Sequence, residues 1–175
     1  MFNIKPFKIS VSEELLNQIA KQINDYPWHL MPDGLDWSYG TNKAYLMELC
    51  DYWVKTFDWR KSEQELNKFC QFTTDIDEIN LHFIYEKGIG ENPTPLLISH
   101  GWPGSIAEFS KIIEPLTNPE KFGGNSNDSF DVIAPSLPGF GFSSAPKRPW
   151  GPRKTDEAFF FCCFFYFVYC LVNGV

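Results

Sequence analysis

The 175-residue sequence predicts an α/β fold with parallel strands, on three observations. Leu96–Ile98 and Phe130–Ala134 are short apolar runs bounded by Pro and Gly, the pattern of buried strands in a parallel sheet. Each run enters a turn rich in Gly and Pro, and the first turn, HGWPGS at 100–105, passes into helical periodicity over Ile106–Leu116. Apolar and polar residues alternate between Glu78 and Glu86, which predicts another strand with one face buried.

Taken in order, Met1–Ile9 reads as an extended lead-in fixed by Pro6. Ser10, with Glu13 at capping-box spacing, is expected to open a helix whose stripe is Leu15, Leu16, Ile19, Ala20 and Ile23. Asp25-Tyr26-Pro27 ends it. Trp28–Gly40 is irregular, and His29 within it reads as a packed or surface histidine. Asn42 or Thr41 caps the next helix, in which Tyr45, Leu46, Leu49, Trp53, Val54 and Phe57 keep helical period. So aromatic a stripe is expected to be buried. Ser62 and Glu65 open a short helix carrying Leu66 and Phe69. In the strand 78–86, Ile79, Leu81, Phe83 and Tyr85 share one face, and His82 lies on the other in a structural role. Lys87–Pro95 is a turn, and Leu96–Ile98 is read as the central strand. Ser105 with Glu108 forms a second capping box, and Asn118–Ser129 is a solvated connector.

Composition narrows the function. Net charge is −7, which gives no reason to expect nucleic acid or an anionic membrane surface as partner. The five Cys form no CxxC or CxxH pair, and three of them fall in the last fourteen residues. That argues against a zinc site and against a disulfide framework, and a reducing compartment fits best. No signal-peptide pattern opens the chain.

The residues that carry chemistry lie at the first turn. A strand ending in His100-Gly101-Trp102-Pro103 leaves backbone N–H groups free where strand meets helix, and such groups can stabilise an oxyanion. The decapeptide LLISHGWPGS alone fits a plain βα turn equally well. The second segment, FDVIAPSLPGFGFSSAP at 130–146, shifts the balance. Together the two stretches resemble the epoxide hydrolase branch of the α/β-hydrolase fold, in which HGWPGS follows one strand and DVIAPSLPGFGFS the next. PFKISVSEELL, YGTNKAYLMELCDYWVKTFDW, LNKFCQFTTDI and INLHFIYEK are similar to the N-terminal region of microsomal and juvenile-hormone epoxide hydrolases. The resemblance runs from about Lys5 to Thr155.

The resemblance implies an N-terminal meander over 1–77, the beginning of an α/β-hydrolase domain over 78–155, and a tail at 156–175 outside the family pattern. It implies conversion of epoxides to vicinal diols without metal or organic cofactor. In the family an Asp carboxylate opens the ring and forms an ester, two tyrosines assist the epoxide oxygen, and a His oriented by an acidic residue activates water. Of this apparatus only the oxyanion-hole turn matches: His100, Gly101, Trp102 and Pro103, with the Trp102 N–H as donor and the His100 ring orienting the turn. The sequence holds no Gly-x-(Ser, Asp, Cys)-x-Gly elbow. Nucleophile and base are therefore absent, the chain reads as truncated before the elbow, and neither turnover nor good solubility is expected of it alone. Ala158–Val172, fifteen apolar residues, replaces the family's amphipathic helix and is shorter than the roughly 20 residues of a membrane span. It reads as non-coding sequence taken into a truncated or mis-spliced gene model, with a hydrophobic anchor on a shortened isoform or a buried strand as alternatives.

The implied partner is a small-molecule epoxide in the full-length protein. Microsomal relatives carry an N-terminal anchor, so membrane association and a cytoplasmic or endoplasmic-reticulum location both stay open. Two competing readings are a non-catalytic fragment that docks on an intact hydrolase and a fragment of another α/β-hydrolase, a dehalogenase or an esterase.

Overall fold

The computed structural model describes residues 3–32 and 34–159. Backbone contacts divide it into a helical unit, 9–63, and a sheet unit formed by residues up to 8 together with those from 64 onward.

In the helical unit, α1 spans Glu13–Asn24, α2 Lys43–Lys55 and α3 begins at Trp59 and runs to Leu66. The cap of α1 is Ser12, not Ser10: its hydroxyl accepts the Leu15 N–H at 3.2 Å. This register puts Glu13 and Glu14 together in the first turn, against the positive end of the helix dipole. Asn42 caps α2, its Oδ1 accepting the Tyr45 N–H at 2.9 Å. Glu63 ties the start of α1 to α3. Its Oε1 accepts from the Val11 N–H at 2.7 Å and from Trp59 Nε1 at 3.3 Å, while Oε2 accepts from Arg60 Nη1 at 2.7 Å. Arg60 also pairs with Glu13. The Val11 N–H first, then the Arg60 guanidinium, hold the Glu63 carboxyl below its ordinary range.

The expected burial of the α2 stripe is not met. No residue of α2 is buried, and Trp53 is half exposed. Leu15, Ile19, Leu49 and Trp53 instead line an apolar groove of about 910 Å³. Helical spacing places these residues on one face but does not supply a surface to meet it. His29 is exposed, and its carbonyl accepts from Lys43 Nζ at 2.6 Å.

The sheet unit holds five strands: β1 (Lys5–Phe7), β2 (Gln71–Ile76), β3 (Ile79–Glu86), β4 (Thr94–Leu97) and β5 (Phe130–Pro135), in the order β1-β2-β3-β5-β4. β1, β2, β3 and β5 pair antiparallel in sequence along the sheet, and β4 pairs parallel to β5. The sheet is therefore mixed, and β1 and β2 are strands the hydrophobic pattern does not announce. β3 is buried on both faces rather than one. Ile79, Leu81, Phe83 and Tyr85 join Ile133 in one core cluster, while Ile84 joins Val132 and Ala134 in the other. The period-2 assignment of faces holds, but each face has a cover. Helix α5, residues 152–159, brings Ala158 and Phe159 to the first cluster. Ile106, Phe109 and Ile113 close the second. Fully burying a side chain such as Phe83 contributes about 1.5–3 kcal/mol.

β4 differs from expectation. It is neither central nor buried: it pairs with β5 alone among the described residues, and Leu97 is 43% exposed. The segment after it also departs from a continuous helix over 106–116. A 3-10 turn at Ile106–Phe109 precedes a short α4, Ile113–Thr117. The connector 118–129 folds into 3-10 turns at Pro119–Phe122 and Ser126–Asp128. The aromatic tail from 160 onward lies outside the described residues. Among those described, no helix is long and apolar enough to cross a membrane.

Candidate active site

β4 and β5 run parallel and in register, Leu97 opposite Ile133, so their carboxyl ends lie side by side. Two loops leave from there: residues 98–105 after β4 and residues 136–144 after β5. In open α/β sheets this is where ligands bind.

The first loop is the His100–Pro103 turn. Trp102 is 81% exposed, Gly101 and Pro103 are exposed, and the Trp102–Pro103 peptide is cis. Among the described residues none accepts a hydrogen bond from the backbone N–H of Gly101 or of Trp102. The capping box that closes the turn forms as its spacing predicts. Ser105 Oγ accepts the Ala107 N–H at 3.2 Å, and Glu108 Oε1 accepts the Ser105 N–H at 3.0 Å. Gly104 is obligatory beside it, because a Cβ there would lie 2.0 Å from Glu108 Oε1 and 2.8 Å from the Gly101 carbonyl oxygen.

His100 is buried, and both ring nitrogens are committed. The Leu137 N–H donates to Nε2 at 3.1 Å, and Nδ1 lies 3.0 Å from the Gly101 carbonyl. A backbone N–H can only donate, so Nε2 is the unprotonated nitrogen and Nδ1–H donates to Gly101. The ring therefore bolts the first loop to the second. Its lone pair is spent on Leu137, which leaves no site from which to take a proton from water. Phe140 stands edge-on to the ring at 5.8 Å. In the second loop, Gly139 (φ 83°) and Gly141 (φ 53°) supply the left-handed conformations that let the chain double back.

A second buried histidine lies under this loop. His82 of β3 places Nδ1 2.9 Å from Ser136 Oγ and Nε2 3.0 Å from Gln71 Oε1. Phe7 and Phe142 stand edge-on to it at 4.9 and 5.3 Å. Burial lowers its pKa from 6.5 to about 4. Sequence reasoning placed His82 in a structural role but did not reach Gln71, Ser136, Leu137 or Ser143. Ser136, held between Pro135 and Leu137-Pro138, is the one with a local signal: a hydroxyl at the end of an apolar strand. Among the described residues no cluster of His, Cys, Asp or Glu could hold a metal ion.

Adjacent parallel strands with a His-Gly-x-Pro turn at one carboxyl end and a Gly-rich loop at the other define an α/β-hydrolase, and residues 94–171 match the family described as alpha/beta hydrolase fold. The N-terminal half is more specific. The chain belongs to the epoxide hydrolase family: residues 4–109 match the family described as Epoxide hydrolase N terminus. Epoxide hydrolase 1 of Sus scrofa is 40% identical over 150 residues, covering 83% of this chain and 33% of that protein. Juvenile hormone epoxide hydrolase 2 of Ctenocephalides felis is 37% identical over 84% of this chain and 32% of its own length. Among solved structures, the juvenile hormone epoxide hydrolase of the silkworm Bombyx mori superposes with a TM-score of 0.74 at 34% identity, over 85% of this chain and 35% of its own. The Aspergillus niger epoxide hydrolase gives 0.77 at 28%, over 89% and 41%. The chain spans about a third of the length of the curated relatives it matches.

Proposed function

We propose that this chain is the N-terminal part of an enzyme that opens small-molecule epoxides with water to give vicinal diols, and that it supplies the oxyanion-hole turn. On this reading residues 1–77 form the meander and 78–155 open the hydrolase domain. A carboxylate opens the ring and becomes an ester. Water then attacks the ester carbonyl, whose oxygen gains negative charge. The Trp102 N–H donates to that oxygen. Gly101 keeps the approach open, Pro103 shapes the turn, and His100 fixes it to the 136–144 loop. The nucleophilic carboxylate, the ring-opening tyrosines and the base would come from residues other than these. No metal or organic cofactor takes part.

The observation that carries the reading is the exposed turn with an unengaged Trp102 N–H, set at the carboxyl end of a strand parallel to its neighbour. It is tested by grafting. Residues 3–155 would replace the matching third of the silkworm juvenile hormone epoxide hydrolase, and diol formation would be followed. A folded chimera is expected to make diol. Trp102→Pro, which removes the N–H, is expected to lower its kcat by about 10²–10³-fold. A folded chimera without turnover, or a Trp102→Pro chimera as active as its parent, would refute the assignment.

A further inference from the structure

The two histidines grip consecutive residues of one loop in opposite tautomers. The Gln71 amide is oriented by its nitrogen, which donates to the Leu66 carbonyl at 2.9 Å and lies 3.4 Å from Asn67 Oδ1. Its oxygen must then face His82. An amide oxygen only accepts, so His82 Nε2 carries the proton, and its bare Nδ1 accepts the Ser136 hydroxyl. Ser136 is held at every polar atom. Its N–H donates to the His82 carbonyl at 2.9 Å, its carbonyl accepts the Ser143 hydroxyl at 2.8 Å, and Ser143 Oγ in turn accepts the His82 N–H at 2.9 Å. The next N–H along the chain, Leu137, is the one that fixes His100.

We infer that His82 is a positioning residue for the His100–Pro103 turn: acting through Ser136, it sets the Ser136–Leu137 peptide so that its N–H meets His100 Nε2 and forces His100 into the Nδ1–H tautomer that binds the Gly101 carbonyl. The relay crosses from β2 through β3 to the loop after β5 and ends in the turn after β4. His82, Ser136 and Gln71 are all buried, so these three side chains do not meet solvent. His82 is thus excluded as nucleophile or base, and its ring stands between Phe7 and Phe142. Gly141 is part of the device. A Cβ there would sit 3.0 Å from Ser136 Oγ and press on the hydroxyl that His82 holds.

The inference deepens the oxyanion-turn reading and rests on it for its chemical meaning. Its test reads tautomers and amide exchange, not turnover, so either can fail without the other. The full chain, labelled with ¹⁵N, has three histidines to assign. Long-range ¹H–¹⁵N spectra of the wild-type protein are expected to show His82 protonated at Nε2 and His100 at Nδ1. In Ser136→Ala, which removes one oxygen, His100 is expected to become a tautomer mixture, and hydrogen-exchange protection of the Leu137 amide to fall at least tenfold. In His82→Gln, whose amide can donate to Gln71 and accept from Ser136, both signals are expected to stay as in the wild type. A Ser136→Ala protein with an unchanged His100 spectrum and unchanged Leu137 protection would overturn the inference. So would loss of the His100 tautomer in His82→Gln.

Discussion

Acidification is predicted to destabilise the sheet unit through His82. The unfolded histidine takes a proton near pH 6.5, whereas the buried one resists until about 4, because charge on a fully enclosed ring has no water to solvate it. The folded pKa is depressed, and the neutral form is the folded form. The stabilisation is therefore complete above pH 6.5 and drains as pH falls, since the unfolded chain binds the proton first. At about 1.36 kcal/mol per pH unit the loss is about 1.4 kcal/mol at pH 5.5 and about 3 kcal/mol at pH 4, where it begins to level off. Against a typical stability of about 5–15 kcal/mol this is a large share. The assay is urea unfolding of the chain and of His82→Gln at pH 7, 5.5 and 4. Gln at 82 cannot titrate, and every other group contributes to both proteins, so the difference between the two profiles isolates the histidine. The wild-type protein should lose stability faster than the variant by those amounts. Parallel profiles from pH 7 to pH 4 would show that His82 is not held neutral by burial, and the argument from its enclosure would fall.

Other outcomes follow from local geometry. Asn42→Ala removes the α2 cap and should cost about 1 kcal/mol in denaturant unfolding, with the loss confined to the helical unit by hydrogen exchange. Gly104→Ala should displace Glu108, because its Cβ has no room beside Oε1 or the Gly101 carbonyl. A cost of about 1–2 kcal/mol and loss of Ser105 amide protection are expected, and an unaltered Ser105 amide would contradict it. Glu63→Gln keeps an acceptor for Val11 but loses the charge facing Arg60. Since its carboxyl is held low when folded, the stabilisation is present above the ordinary carboxylate range and lost as pH falls through the depressed value. The variant should melt lower at neutral pH and match the wild type in strong acid. Trp53→Glu on the exposed α2 face should raise solubility and lower the binding of a dye such as ANS without changing the melting of the sheet unit.

The candidate turn was legible because its chemistry is written contiguously: strand end, His-Gly-x-Pro, capping box. The same is true of β3, where alternation places His82 opposite Phe83 and Tyr85 without any knowledge of the fold. What escaped the sequence depends on partners from far along the chain. Leu96–Ile98 reads identically as a central or an edge strand, since the apolar run does not record which neighbours pair with it. The α2 stripe likewise declares a face but not a cover. The meaning of His82 is decided by Gln71, Ser136 and Phe142, which lie 11, 54 and 60 positions away in the sequence. β2, with Thr73-Thr74 in its middle, is too short and too polar to stand out until β1 and β3 flank it.

The sheet also sets an order of assembly. β2 and β3 are joined by two residues, Asp77 and Glu78, with Asp77 in the left-handed region at φ 51°, and their pairing closes almost no loop. The contact from Leu137 to His100 spans 37 positions and requires β4 and β5 to have found each other across the intervening helical turns. Loop-closure entropy makes such distant parallel pairing slow. A chain emerging from the ribosome would thus form the 71–86 hairpin early and complete the His100 turn only after residue 137 has been released. The candidate turn is among the last parts of this sheet to come into being, and among the first that a halt in synthesis would leave unmade.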